Sequence, residues 1–363
     1  MVTLTGMQTI KLLAAFVALA LFAAACGGSD GESAEAIASI VGDDVECVDS
    51  TGESVTIYSG RTENLIQPIL DGFECETGIE ARVRWGDSTD LAVLLAEEGN
   101  ATDADVFLSS SPGPVGFLDG NGLLGQIDAD TLGLVDANNR ALSGSWVGFS
   151  GRKRVLVYNT ENVSEDELPQ SVLDLTGDIY EDRVAIPATN GSFEDWFTVF
   201  RDQEGNDTAQ GWIDDMTGNG AQPYANNRSI VEAVGRGEID FGLVNHYYNF
   251  QEAAARGDEH KALNFDFAEN DIGSLLIITA ATVTASTDKL DEANDLIAYL
   301  LSENAQRFFT EETFEYPLAA GVEPVDILPP LSALEIGSVD FESLGGGFED
   351  TERIIQESGI LNN

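Results

Sequence analysis

Two adjacent tyrosines, Tyr247 and Tyr248, are the side chains of this sequence that point most directly to chemistry. They follow the β-rich run IDFGLVN and lie within VNHYYNF, residues 244–250. Neighbouring residues of a strand face opposite sides, so two adjacent rings cannot enter one core from a strand. We therefore predict a loop just past the strand end, from which both phenol oxygens point into a cleft. A phenol titrates at about pH 10, and a bound cation stabilises its anionic form.

Other polar segments also lie at predicted strand ends, where ligands bind in open α/β sheets. Asn190, Gly191 and Ser192 are expected at a helix N-terminus, where free N–H groups and the helix dipole favour an anion. A plain helix cap is the alternative interpretation of these three residues. The segments that form the predicted site are YSGRTEN, LSSSPG, PATNGSF, YANNRS and VNHYYN.

Strand and helix patterns alternate along the chain and predict an α/β fold. The predicted strands are SVTIYS, IEARVRW, ADVFLSS, RVLVYN, RVAIPAT, IDFGLVN and GSLLIITAATVTAS. The first predicted helix, 64–78, contains Pro68, which implies a late start or a kink, and ends at Gly78. A single amphipathic helix is predicted over 290–312, and a terminal helix over 348–361.

The N-terminal segment has the features of an export signal. An apolar run of about 14 residues follows Lys11 and is too short to span a bilayer. FAAAC resembles a lipoprotein cleavage site, so we predict a signal peptide over 1–25, lipidation of Cys26 and a tether over 26–50. An ordinary signal peptide cut nearby is the alternative. Because the protein is then exported, to the periplasm or the cell surface, a disulfide between Cys47 and Cys75 is expected.

Chain length and charge limit the function further. The mature chain of about 338 residues is too long for one core, so we predict one lobe of 51–148 plus 267–325 and another of 149–266 plus 326–363. With 64 acidic and 17 basic residues, the net charge of −47 disfavours nucleic acid and anionic membranes. A surface adapted to salt explains the same charge. No nucleophile elbow, zinc-protease motif or P-loop is present, so an enzyme is not expected.

Several segments, in order over about residues 54–318, together resemble the bacterial ferric-iron-binding proteins of ABC importers. The resemblance implies a two-lobe periplasmic-binding-protein fold of class II type, each lobe a mixed sheet flanked by helices, with a hinge of two crossovers. It implies that Tyr247 and Tyr248 bind Fe(III), and that a permease and its ATPase are the partners of a lipid-anchored monomer. The segments are VTIYSGRTENLIQPILDGFECETGIEARVRWG, LAEEGNATDADVFL, GFSGRKRVLVYN, NNRSIVEAVGRGEIDFGLVNHYYN and FEYPL.

Two phenolates balance only part of the charge of Fe³⁺, which prefers hard anionic oxygen donors. At the positions of the histidine and glutamate ligands of many family members this chain has Thr62 and Ser110, and the third tyrosine of a tyrosine-only branch falls near Phe193. The resemblance therefore implies a synergistic anion, phosphate or carbonate, or a contribution from a neighbouring carboxylate. The neighbouring carboxylates are Glu63, Glu194 and Asp195.

The resemblance also extends the anion pocket. Asn227 and Asn245 join Asn190, Gly191 and Ser192. Ser110 and Ser111 lie in the loop that faces them, and Arg61 is a candidate for binding the anion through two of its N–H groups.

The alternative function keeps the fold but binds an oxyanion, phosphate or a phosphonate, or a ferric chelate such as citrate, with the tyrosines as hydrogen-bond donors. His246 is expected to point away from the site and His260 to be exposed to solvent. The basic run Arg152, Lys153 and Arg154 lies either in the wall of the cleft or on a solvated strand edge, and the sequence does not decide between the two. Trp146 and Trp196 are expected to serve in packing.

Overall fold

A computed structural model describes residues 40–41, 46–330 and 347–363, without the side chains of 348 and 349. The predicted signal peptide, Cys26 and most of the predicted tether lie outside the described residues. In the described part, no helix is long and apolar enough to cross a membrane.

Strands and helices alternate over most of the described chain. The strands are β1 Ser54–Ser59, β2 Glu80–Trp85, β3 Val106–Ser109, β4 Trp146–Asn159, β5 Val184–Ile186, β6 Gln222–Pro223, β7 Phe241–Asn245, β8 Ala262–Phe265, β9 Leu276–Val283 and β10 Tyr316–Pro317. The helices are α1 Glu63–Thr77, α2 Ser88–Glu98, α3 Pro112–Gly120, α4 Ala129–Leu132, α5 Gly191–Glu204, α6 Asn206–Gly218, α7 Asn227–Gly235, α8 His246–Arg256, α9 Leu290–Leu300, α10 Glu303–Glu311 and α11 Phe348–Ser358.

The long strand β4 joins two groups of strands. Over residues 146–153 it pairs antiparallel with β9, which continues through β3 and β1 to β2. Over residues 154–158 it pairs antiparallel with β7, which continues through β5 to β6. Both groups mix parallel and antiparallel neighbours, which confirms the predicted mixed sheets flanked by helices. The chain thus passes from one group to the other along β4 and returns between β8 and β9.

β4 is longer than predicted because both of its faces are covered. The prediction began the strand at Arg154, whereas the strand begins at Trp146. The added residues include Gly148, Arg152 and Lys153, which are not typical of strands. All residues of β4 except Tyr158 are nevertheless buried, because other strands and helices pack around them.

Two helix predictions need correction. α1 begins at Glu63, ahead of Pro68, and ends as predicted at Gly78, whose φ of 74° is in the left-handed region that glycine tolerates. The predicted helix over 290–312 is two helices. Ser302 separates them, because its side chain accepts a hydrogen bond from the Ala305 N–H and caps α10.

The predicted packing roles of the tryptophans fit the structure. Trp196 is fully buried, its ring lies edge-on to Trp212 at 5.5 Å, and its Nε1 donates to the Ile272 carbonyl at 2.7 Å. Trp146 is buried at the start of β4. At the N-terminal end, Cys47 and Cys75 form a disulfide, which links the segment before β1 to α1.

Candidate metal and anion site

The tyrosine pair lies in a helix and not in the predicted loop. β7 ends at Asn245 and α8 begins at His246, so Tyr247 and Tyr248 are in the first turn of α8. Adjacent helical residues project about 100° apart, which lets the two rings lie on one side of the chain. Their centroids are 4.2 Å apart and the rings are stacked, with Tyr247 buried and Tyr248 half-buried.

Tyr247 is held in its neutral form unless a cation binds. Burial raises the pKa of its phenol well above the usual value, and the neighbouring Tyr248 raises it further. The positive charges of Arg152 and Arg61 act in the opposite direction and lower the same pKa. A cation that binds here must therefore displace a proton from the phenol.

Arg61 enters the site from the loop after β1. It is 3% exposed, and its Nη2 is 2.6 Å from Glu315 Oε2. Burial lowers the pKa of Arg61, but Glu315 and the tyrosines raise it more, so the group stays charged. Gly60 makes this loop possible, because a Cβ there would lie 1.9 Å from the Ser88 hydroxyl oxygen.

The residues predicted to bind an anion at the helix N-terminus surround Arg154. Arg154 is fully buried and donates from Nη2 to the Ser192 carbonyl at 2.6 Å and from Nη1 to Asn227 Oδ1 at 3.1 Å. The Ser192 hydroxyl and the Asn227 amide both donate to Asn190 Oδ1, at 2.7 and 3.0 Å. Asn245 donates to the Ser192 hydroxyl at 3.2 Å.

The structure therefore brings Asn190, Ser192, Asn227 and Asn245 together, with the guanidinium of Arg154 among them. Burial lowers the pKa of Arg154 to about 9, which leaves it protonated at neutral pH. Gly191 begins α5 beside this cluster, with Asp87 from the α2 cap nearby. The cluster contains a buried positive charge that interacts electrostatically with both tyrosines.

Arg152 has the donors that an anion needs. Its side chain is 3% exposed, and its Nε and Nη2 have no hydrogen-bond partner among the described residues. These two atoms form one edge of a guanidinium, the edge that binds carboxylate or phosphate in a bidentate manner. Buried donors are nearly always satisfied in native proteins, so an orphaned pair at a cleft is a sign of a ligand.

Acidic groups stand near the same arginines. Asp195 is buried, and burial raises its pKa to about 7, although Ser111 within hydrogen-bonding reach and Arg152 lower it. The pKa of the half-buried Glu194 is also raised to about 7, first by burial and then by Asp195. Ser110 bonds through its hydroxyl to the Ser88 hydroxyl at 2.9 Å.

Three further positions considered for the ligand shell are Thr62 and Glu63, next to Arg61, and Phe193, whose ring centroid is 6.0 Å from the guanidinium carbon of Arg154. Thr62 and Glu63 are exposed at the start of α1. Phe193 is fully buried in an aromatic cluster, stacked on Phe197 at 6.1 Å. Within the described part of the chain, no group of three His, Cys, Asp or Glu side chains is close enough to hold a metal.

The histidines and the lysine of the basic run are structural. His246 accepts from the Lys153 N–H at 3.0 Å and stacks on Tyr316, and burial lowers its pKa to about 3, so it is neutral. His260 was expected to be exposed, but it is half-buried and bonds to Asn249 Oδ1 at 2.7 Å. Lys153 pairs with Asp266 at 2.9 Å.

Sequence reasoning missed Glu315. A buried glutamate within FEYPL is a recognisable signal, because a carboxylate between apolar residues needs a buried partner. The partner, Arg61, is 254 positions away in sequence, so no local pattern connects the two.

Comparisons with known proteins identify the family and the fold. A family model described as bacterial extracellular solute-binding protein matches residues 102–337. The chain is 31% identical over 310 residues to the major ferric iron-binding protein of Neisseria meningitidis, covering 84% of this chain and 93% of that protein. It is 29% identical over 314 residues to the Fe(3+)-binding periplasmic protein of Serratia marcescens, covering 86% and 92%.

A solved structure shows the same fold. Iron-bound HitA from Pseudomonas aeruginosa superposes with a TM-score of 0.80 at 28% identity, over 85% of this chain and 99% of HitA. From the family match, the ferric-iron-binding relatives and the superposition on HitA, we conclude that the chain belongs to the bacterial extracellular solute-binding protein family and has a periplasmic-binding-protein fold.

Proposed function

We propose that this protein captures Fe(III) in the cleft beside α8 and delivers it to the permease of an ABC uptake system, which its ATPase drives. The stacked pair of Tyr247 and Tyr248 is the observation that carries the proposal. Two phenolates side by side supply the hard anionic oxygens that Fe³⁺ prefers. The names of the Neisseria and Serratia relatives and the iron bound to HitA support the same cargo.

An anion completes the site in this proposal. Fe³⁺ with two tyrosinates keeps a formal charge of about +1, and the nearby buried arginines add further positive charge. Arg152, whose Nε and Nη2 lack partners among the described residues, is the group best placed to hold phosphate or carbonate. The Asn190–Ser192 segment, Asn227 and Asn245 contribute by fixing Arg154 behind it.

Iron binding and release follow from the state of the phenols. Binding of Fe³⁺ expels the phenol proton of the buried Tyr247, so affinity falls in acid. The two lobes, 51–148 plus 267–325 and 149–266 plus 326–363, would move about the chain passages at β4 and between β8 and β9. Opening at the permease would expose the metal to water and lower its affinity.

Location and anchoring are part of the same proposal. A signal peptide over 1–25 would export the chain, and lipidation of Cys26 would hold it at the membrane near the permease. We propose a monomer that acts as a carrier and not as an enzyme. The tether over 26–50 would let it reach its partner.

The second candidate is an oxyanion or an anionic ferric chelate as the cargo. The orphaned donor edge of Arg152 and the buried charges of Arg61 and Arg154 favour it, because they attract anions whether or not iron is present. In that case Tyr247 and Tyr248 remain protonated and donate hydrogen bonds to the ligand.

A visible-absorption titration tests the proposal. Purified protein stripped with a chelator is titrated with a ferric salt, with and without phosphate or bicarbonate. We expect a tyrosinate-to-iron charge-transfer band that saturates at about one equivalent and grows stronger with one of the anions. A folded protein that gives no band with either anion would exclude tyrosinate binding of ferric ion. Phosphate binding without iron would then support the second candidate.

A further inference from the structure

Glu315 is a buried carboxylate to which neither the comparisons nor the sequence assign a role. It has no exposed surface, and its Oε2 is 2.6 Å from Arg61 Nη2. Thr313 donates its hydroxyl to the same oxygen at 3.2 Å. The second oxygen, Oε1, has no hydrogen-bond partner within the described ranges.

The fold places Glu315 at the cleft. It immediately precedes β10, whose residues Tyr316 and Pro317 pair with Gly151 and Ser150 of β4, next to Arg152. Its negative charge also acts on the phenol of Tyr247. Glu315 therefore belongs to the charged lining of the proposed iron site, on the side from which Arg61 enters.

The two arginines at the site differ in their free donors. Arg152 presents the complete Nε and Nη2 edge with no partner in the described structure. In Arg61 only Nε of that edge lacks a partner, because Nη2 is engaged by Glu315. A bidentate contact needs both donors of one edge, so an external phosphate or carbonate can form it on Arg152 but not on this edge of Arg61.

We propose that Glu315 is a specificity-determining residue that occupies Arg61 as an internal anion and thereby directs the external anion to Arg152. The inference rests on the proposed function, since it concerns the same cleft. Removal of the carboxylate would leave a buried guanidinium without its counter-charge. An external anion is then the natural replacement, and Arg61 becomes a second binding group.

Calorimetric titration of iron-free protein with inorganic phosphate tests this inference without relying on iron. In Glu315→Gln, which keeps the side-chain volume, we expect phosphate to bind about tenfold tighter than to the wild type, because one more charge-assisted contact forms. Adding Arg61→Gln to Glu315→Gln should abolish the gain. Glu311→Gln, which removes the carboxylate of an exposed pair with Arg307, is the matched control and should leave phosphate binding unchanged.

Three results would contradict the proposed role of Glu315. Equal phosphate affinity in Glu315→Gln and wild type, or no binding by either, overturns the inference, as does a gain that persists without Arg61. If Glu315→Gln does not fold, Glu315→Asp is used, whose shorter side chain should loosen the contact with Arg61 and give a smaller gain; no gain then overturns it. Failure of the ferric band in the wild type would remove the proposed cargo but not this result.

Discussion

Arg154 donates to the carbonyl oxygen of Ser192 at 2.6 Å from a fully buried position, so a cation lies among the residues that the sequence predicted to bind an anion. The same guanidinium bonds to Asn227. The Ser192 carbonyl at the start of α5 and the Asn227 amide oxygen at the start of α7 thus both accept hydrogen bonds from Arg154, a residue of β4.

Replacing Arg154 should destabilise the protein. In Arg154→Gln the acceptors at Ser192 and Asn227 lose their buried donors, and we expect a loss of about 1–3 kcal/mol in the free energy of unfolding. Urea unfolding followed by circular dichroism measures the change. Arg236→Gln, at an exposed pair with Glu238, should change stability by less than about 1 kcal/mol. A small effect in Arg154→Gln would show that the network is not structural.

The polar loops at strand ends were predictable because hydrophobic alternation and turn residues are local signals. Tyr247, Tyr248, Asn190 and Ser192 were identified in this way, whereas Asn227 and Asn245 were added by the family resemblance. The structure brings the four Asn and Ser residues together. The partner of each polar group was not predictable. Arg154 and Ser192 are 38 positions apart and Arg61 and Glu315 are 254 apart, and such pairs depend on how the sheets join. The first turn of α8 was missed because aromatic residues are weak helix signals.

The two tyrosines should both be required for the ferric charge-transfer band. Phenylalanine preserves the stacked rings, with centroids 4.2 Å apart, but removes the oxygen. In Tyr247→Phe and in Tyr248→Phe, the band at one equivalent of ferric salt should be lost, or the affinity for ferric ion should fall by at least about tenfold. Tyr158→Phe, in β4 away from the pair, is the control and should retain the band. Full retention of the band in either site variant would contradict ligation by that residue.

The disulfide should contribute measurably to stability. Cys47 and Cys75 enclose a loop with a sequence separation of 28, and closing a loop of this size stabilises the folded state by roughly 3–4 kcal/mol in the chain-entropy estimate. In Cys47→Ala/Cys75→Ala we expect a lower midpoint of thermal unfolding. A reducing agent should lower the midpoint of the wild type and leave the double variant unchanged. Equal midpoints for wild type and variant under oxidising conditions would contradict the prediction.

Asp195 makes the stability of the protein depend on pH. It is buried on α5, with Arg152, Arg154, Asp87 and Ser111 around it, and burial raises its pKa from 3.8 to about 7. An acid whose pKa is raised by folding contributes no penalty below about pH 4, where it is protonated in both states. As the pH rises from about 4 to about 7, the unfolded chain ionises first and the folded state loses stability.

Asp195→Asn should remove this loss. At pH 4 the variant and the wild type should unfold at similar urea concentrations, whereas at pH 8 the variant should be more stable by up to roughly 4 kcal/mol, at 1.36 kcal/mol per pKa unit. Asp202→Asn, at an exposed position of the same helix, is the matched control and should follow the wild type at both pH values. If the difference between Asp195→Asn and wild type does not grow with pH, Asp195 is ionised at low pH in the folded protein, and Arg152 and Arg154 outweigh its burial.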